Sequence, residues 1–158
     1  MRSTIVCLAA ALLAGAASAQ CLFSSVSTQS VGSSCNAPST GFCAIAAMPV
    51  SLTPTLNTTN CSLTIQLTAF EGCGATVPLR VLALGFQPAS VPLPEFGATC
   101  ALHIAPIVLL ADTTGTFVLP LPTSTASLGF YAQGAALSVP PFGANILAFS
   151  NGLSVNLQ

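Results

Sequence analysis

Residues 61 to 69 alternate without a break. Cys61, Leu63, Ile65, Leu67 and Ala69 are apolar or small, and Ser62, Thr64, Gln66 and Thr68 between them are polar. A period of two sends successive side chains to opposite faces of an extended chain, so this stretch predicts a half-buried β-strand. The pattern returns at 116–121, with Phe117, Leu119 and Leu121 on one face. It returns again at the end, where Leu153, Val155 and Leu157 alternate with Ser154 and Asn156. Residues 77–84, 102–110, 128–137 and 146–149 are apolar runs of strand length. Pro78 places the start of the first run at an edge or strand end, and Pro106 breaks the second. Residues 44–50 are a further candidate strand.

The punctuation between these runs is turn chemistry. Glu71-Gly72-Cys73-Gly74 and Asp112-Thr113-Thr114-Gly115 read as turns. Ser150-Asn151-Gly152 reads as a hairpin, because Asn-Gly tolerates the positive φ of a type I′ turn. Residues 87–99 contain Pro88, Pro92, Pro94 and Gly97 and read as a long connection. No stretch shows a helical period with caps. Short strands with turn signals every 8 to 12 residues imply an all-β fold, an antiparallel sandwich of jelly-roll or immunoglobulin-like type or a barrel.

The first 19 residues have the layout of a secretory signal peptide. Arg2 supplies the positive end, residues 5–15 the apolar stretch and Ala17-Ser18-Ala19 the small-residue cleavage site. The apolar stretch is short for a membrane span, which needs about 20 residues. Gln20 occupies the position before Cys21 where a lipidation site takes a small residue. Cleavage before Gln20 leaves 139 of the 158 residues. That length suits one domain, 20–158, with a cysteine-rich N-terminal part at 20–54. No later segment is long and apolar enough to span a membrane; the longest apolar run, 101–111, is interrupted by His103 and Pro106.

Charge narrows the function classes. Charged residues make up 3% of the chain against about 25% in an ordinary soluble domain. They are Arg2, Glu71, Arg80, Glu95 and Asp112, with no lysine. One arginine in the mature chain cannot neutralise a run of phosphates, which excludes nucleic acid as a partner. The hydrophobic fraction of 53% is equally unlike a disordered chain.

Six cysteines remain after the leader: Cys21, Cys35, Cys43, Cys61, Cys73 and Cys100. An even number behind a secretory leader implies three disulfides, and spacing cannot choose among the 15 possible pairings. Zinc has little to bind, since there is no C-x-x-C pair and His103 is the only histidine. All six fall before the C-terminal third, which must hold by packing and strand pairing alone.

Several short segments look familiar together. They are Gly32-Ser33-Ser34-Cys35, Pro54-Thr55-Leu56, Leu82-Ala83-Leu84-Gly85, Leu93-Pro94 and Thr99-Cys100-Ala101-Leu102. Gly129-Phe130-Tyr131-Ala132-Gln133 and Leu147-Ala148-Phe149-Ser150-Asn151-Gly152-Leu153 complete the set. Over residues 32–158 this arrangement resembles a group of small, uncharacterised secreted β-sandwich domains of planctomycete-type bacteria. The resemblance implies a secreted all-β domain and a Cys35–Cys100 bond. It supplies no catalytic residues, and the other four cysteines depart from its pattern.

Candidate chemistry is sparse. Serine and threonine nucleophiles are plentiful, but the only imidazole base is His103 and the only aspartate is Asp112, with no G-x-S-x-G elbow. His103 alternates with apolar residues and reads as a core or rim histidine. Glu71, Glu95 and Asp112 are the only carboxylates for glycosidase chemistry or calcium, and each sits in or beside a turn where a solvated charge is expected. Sugar binding on a β-sandwich wants aromatic platforms; tryptophan is absent and Tyr131 is the one tyrosine, hence the candidate platform. Asn57-Thr58-Thr59 and Asn60-Cys61-Ser62 match the glycosylation pattern.

The resulting expectation is a non-enzymatic, secreted, disulfide-stapled structural, surface or matrix protein with no catalytic, metal or cofactor site. Its expected partner is itself, as a homo-oligomer or filament, or another extracellular protein. Faces of Ser, Thr, Gln and Asn repel copies weakly, and edges without lysine are poorly defended. The alternative is an extracellular glycan-binding module.

Overall fold

A computed structural model describes residues 20–36, 50–69, 71, 74–96, 100–141 and 144–158. Residues 1–19, read as a leader, Cys43, Cys73 and residues 44–49 of the candidate strand lie outside the described residues. The strands are β1 (Val26–Val31), β2 (Cys35–Asn36), β3 (Val50–Asn57), β4 (Ser62–Ala69), β5 (Thr76–Gly85) and β6 (Gln87–Pro92). They continue with β7 (Ala101–Ala105), β8 (Val108–Asp112), β9 (Thr116–Pro120), β10 (Leu128–Val139) and β11 (Ile146–Leu157). One 3-10 turn, Pro94–Phe96, is the only helical piece among the described residues. The fold is all-β and every pairing is antiparallel.

The large sheet has the order β1-β11-β10-β5-β8, with β2 added on β11, and the small sheet has the order β3-β4-β9. The two share one apolar core. From the small sheet come Leu63, Ile65, Leu67 and Phe117; from the large one Leu82, Phe130, Ala132, Leu153, Val155 and Leu157. The alternation read from residues 61–69 therefore names the buried face of β4. At Gly134 a β-carbon would stand 2.7 Å from Leu67 and 3.0 Å from Leu52. Only glycine lets β10 pass this close beneath the small sheet.

The β6–β7 hairpin lies on the other face of the large sheet. Gly85 of β5 abuts the Ala105 carbonyl, and Gly152 of β11 faces the His103 side chain. Residues 87–92 are thus a strand and not the connection that their prolines suggest. Two prolines are tolerated because β6 pairs on one side only, and Ala89 and Ser90 bulge opposite the single residue His103.

Residues 150–152 correct a second expectation. They make no hairpin: residues 146–149 and 152–157 both pair with β10, as one 12-residue strand. Ser150 and Asn151 lie opposite the single residue Gly134, which is a β-bulge. The bulge shifts the burial phase, from Ile146, Ala148 and Ser150 to Leu153, Val155 and Leu157. Asn-Gly here absorbs one extra residue and does not reverse the chain.

Among the described residues, two disulfides join the layers. Cys35 bonds Cys100, the pair that the resemblance implies, and ties β2 to the start of β7. Cys21 bonds Cys61 and fixes the N-terminal segment to the β3–β4 turn, beside the buried Phe23.

Candidate functional site

The residues first considered for catalysis are all taken by local structure. The His103 ring nitrogen Nε2 lies 3.0 Å from the Ser33 carbonyl, and the ring lies flat against Gly32. Gly32 has φ of +68°, and a β-carbon there would collide with the imidazole. The His103 amide, on the side of β7 that no strand pairs, donates to Gln133 Oε1 at 2.7 Å. Gln133 is itself buried and donates to the carbonyls of Ala101 at 3.1 Å and Ser150 at 3.0 Å. Ser150 Oγ accepts the Gly134 amide, freed by the β11 bulge, at 2.8 Å. One polar cluster thus satisfies backbone groups on the unpaired side of β7 and at the β11 bulge.

Asp112 closes its own turn. Its Oδ2 accepts the Thr114 hydroxyl, the Thr114 amide at 2.6 Å and the Gly115 amide at 2.7 Å. The Thr114 hydroxyl bond, with the amides of Gly115, Thr114 and Thr116, holds the carboxyl below its usual value against the opposing effect of desolvation. Among the described residues no hydrogen bond links Asp112 to His103. Arg80 is buried; it donates to the carbonyls of Val77, at 3.1 Å, and Thr113, and pairs with the exposed Glu71. Glu95 stands exposed on the 3-10 turn. No cluster of metal-binding side chains occurs among the described residues.

Tyr131 is half-buried on β10, opposite Gly85 and Ser154, on the face of the large sheet away from the core. The two asparagines of the glycosylation patterns shape the β3–β4 turn. Asn57 Oδ1 accepts the amides of Thr59 at 3.0 Å and Asn60 at 3.3 Å, and Asn60 Oδ1 accepts the Ser62 hydroxyl at 2.6 Å.

The feature that sequence reasoning missed lies where the two sheets end. β8 is the last strand of the large sheet and β9 the last of the small one. The Asp112–Gly115 turn joins them directly, and away from it an apolar cleft of about 330 Å³ opens. Leu84, Leu110 and Phe130 wall it on one side and Leu119 and Leu121 on the other, and every lining residue is apolar or glycine. Phe86 and Ile107 line it while remaining 63% and 68% exposed. Val108, which also lines it, is 44% exposed, and Leu109 beside it is 67% exposed, both on the edge strand itself. The signal was present as the apolar run 107–111, but an uninterrupted run reads as a buried central strand until the strand order is known.

Comparison with protein-family models, with curated proteins and with solved structures finds no match for this chain.

Proposed function

We propose that this protein is a non-enzymatic, secreted structural component that works by associating with itself or with other extracellular proteins. The observation that carries the reading is the β8 edge, where Ile107, Val108 and Leu109 face water with no lysine, proline or bulge within the strand to block pairing. Natural edges are defended by such devices, and an apolar edge without them is a site for another strand. The two packed sheets are read as a β-sandwich. Its disulfides fit an oxidising compartment, and the leader-like residues 1–19 supply the route to it.

The alternative of a glycan-binding module finds less support. Sugars need hydrogen-bonding groups around an aromatic platform, and the cleft offers none, while Tyr131 lies half-buried on another face. The test is static light scattering with electron microscopy on the purified mature protein over a wide concentration range. Mass that rises with concentration is expected. A sharp monomer at the highest concentration overturns self-association as its mode of action.

A further inference from the structure

We infer that β8 pairs antiparallel with β8 of a second copy of this chain, about a two-fold axis at Leu109. The inference rests on the reading of self-association and names its surface, register and symmetry. An edge strand presents a row of unpaired backbone groups, so the partner that fits it is another strand edge. β8 exposes apolar side chains on both faces. Leu109 pairs with Ala83 and lies on the face carrying the β6–β7 hairpin, while Val108 and Leu110 lie on the core side. The fitting edge must be apolar on both faces too.

The other edges of the two packed sheets, apart from the two-residue β2, do not qualify. β1 shows water Ser27, Thr28, Gln29 and Ser30. β3 carries Pro54 and β9 ends in Pro120, each lacking a donor. β8 alone among them is free of proline and apolar throughout until its last residue. Its own copy therefore matches it best.

Charge then selects the direction. Asp112 is the only charge on the strand. Parallel copies in register would set two carboxylates side by side, which is unfavourable. Antiparallel copies centred on Leu109 set Ile107 opposite the partner's Ala111, Val108 opposite the partner's Leu110, and Leu109 opposite itself. Each Asp112 then falls beyond the paired segment, level with Pro106. The contact is isologous, so it closes as a dimer and does not propagate. Ile107 belongs both to this edge and to the cleft lining, so pairing removes its exposed surface from water.

The experiment compares wild type, Leu109→Lys and Gln29→Lys by sedimentation equilibrium, with circular dichroism to verify folding. Both variants add one lysine to an exposed edge position. Wild type and Gln29→Lys are expected to dimerise alike, and Leu109→Lys to weaken the dimer by about 100-fold or more, since it sets a charge in an apolar contact. Leu109→Cys is expected to form a covalent dimer on mild oxidation, because directly opposed β-carbons lie about 5 Å apart. Association of Leu109→Lys equal to wild type, or no cross-link from Leu109→Cys, overturns the inference while leaving self-association standing. A monomeric wild type at every concentration overturns both.

Discussion

Replacing Gln133 by methionine tests the polar cluster that holds the β6–β7 layer to the large sheet. Methionine nearly keeps the volume of glutamine, so the loss reports hydrogen bonds and not a cavity. Three bonds disappear: from the His103 amide, and to the carbonyls of Ala101 and Ser150. The carbonyls each keep a second lone pair for other donors, and their penalty is small. The His103 amide is buried on the side of β7 that no strand pairs, and Gln133 Oε1 is its partner there. A buried donor left unpaired costs about 1–3 kcal/mol, and two lost acceptor contacts add about 0.5–1 each. The expected loss is about 2–5 kcal/mol, a sizeable part of the 5–15 typical of a domain. At about 4 °C per kcal/mol for a chain of this size, the thermal midpoint falls by about 8–20 °C. Urea unfolding of the oxidised mature protein measures it as a lower midpoint at unchanged slope. Amide exchange at His103 gives the local readout, and its protection should collapse toward that of a surface amide. A variant within 1 kcal/mol of wild type, with His103 still protected, would refute the account of the cluster.

Two further outcomes are expected. The bridges close loops of 40 and 65 residues, and because loop entropy grows only logarithmically, Cys21→Ala/Cys61→Ala and Cys35→Ala/Cys100→Ala should each cost about 4 kcal/mol. Denaturant melts that separate the two double variants by more than about 1 kcal/mol would show that strain or residual structure outweighs loop length. The Asp112 carboxyl titrates below its ordinary 3.8, so what its turn contributes is fully present above pH 3.8 and is lost as pH falls through the lower folded value. Asp112→Asn should therefore flatten the acid limb of the stability curve near and below that pH; an unchanged acid limb would remove Asp112 as its source.

The parts of the fold legible in the sequence are those where one residue type repeats with one meaning. Leu63, Ile65 and Leu67 alternate with polar residues because β4 has a core face and a wetter face, and period two records that directly. Pro78 lies near the start of β5, at a bulge against β10 and before β5 meets β8 at Arg80. What stayed hidden depends on partners distant in sequence. Asn151-Gly152 has the chemistry of a turn, and only its pairing with β10 shows that a bulge uses it instead. A phase slip between residues 150 and 153 was the available clue. Gln133 sits in an apolar run and Ser150 in what reads as a turn, and the backbone groups they satisfy belong to residues distant in sequence. The cleft was hidden for the same reason, because the identity of an edge strand is a property of sheet order.

The same logic gives the low charge a structural meaning. Of the four charged residues beyond the leader, Arg80 and Glu71 pair with each other and Asp112 is engaged by its own turn. Glu95 alone is exposed without an ion-pair partner among the described residues. The surface therefore has almost no charge with which to keep copies apart, and discrimination between edges falls to other devices. On β3 and β9 proline removes backbone donors, and on β1 a row of hydroxyls and an amide offers no apolar gain to a neighbour. β8 has neither device, and it borders the apolar cleft. If the chain were built only to remain dispersed, one lysine at position 109 would defend that edge at little cost to a side chain already two-thirds exposed. A Leu109→Lys variant that folds with wild-type stability but no longer associates would show that leucine there serves contact and not the fold.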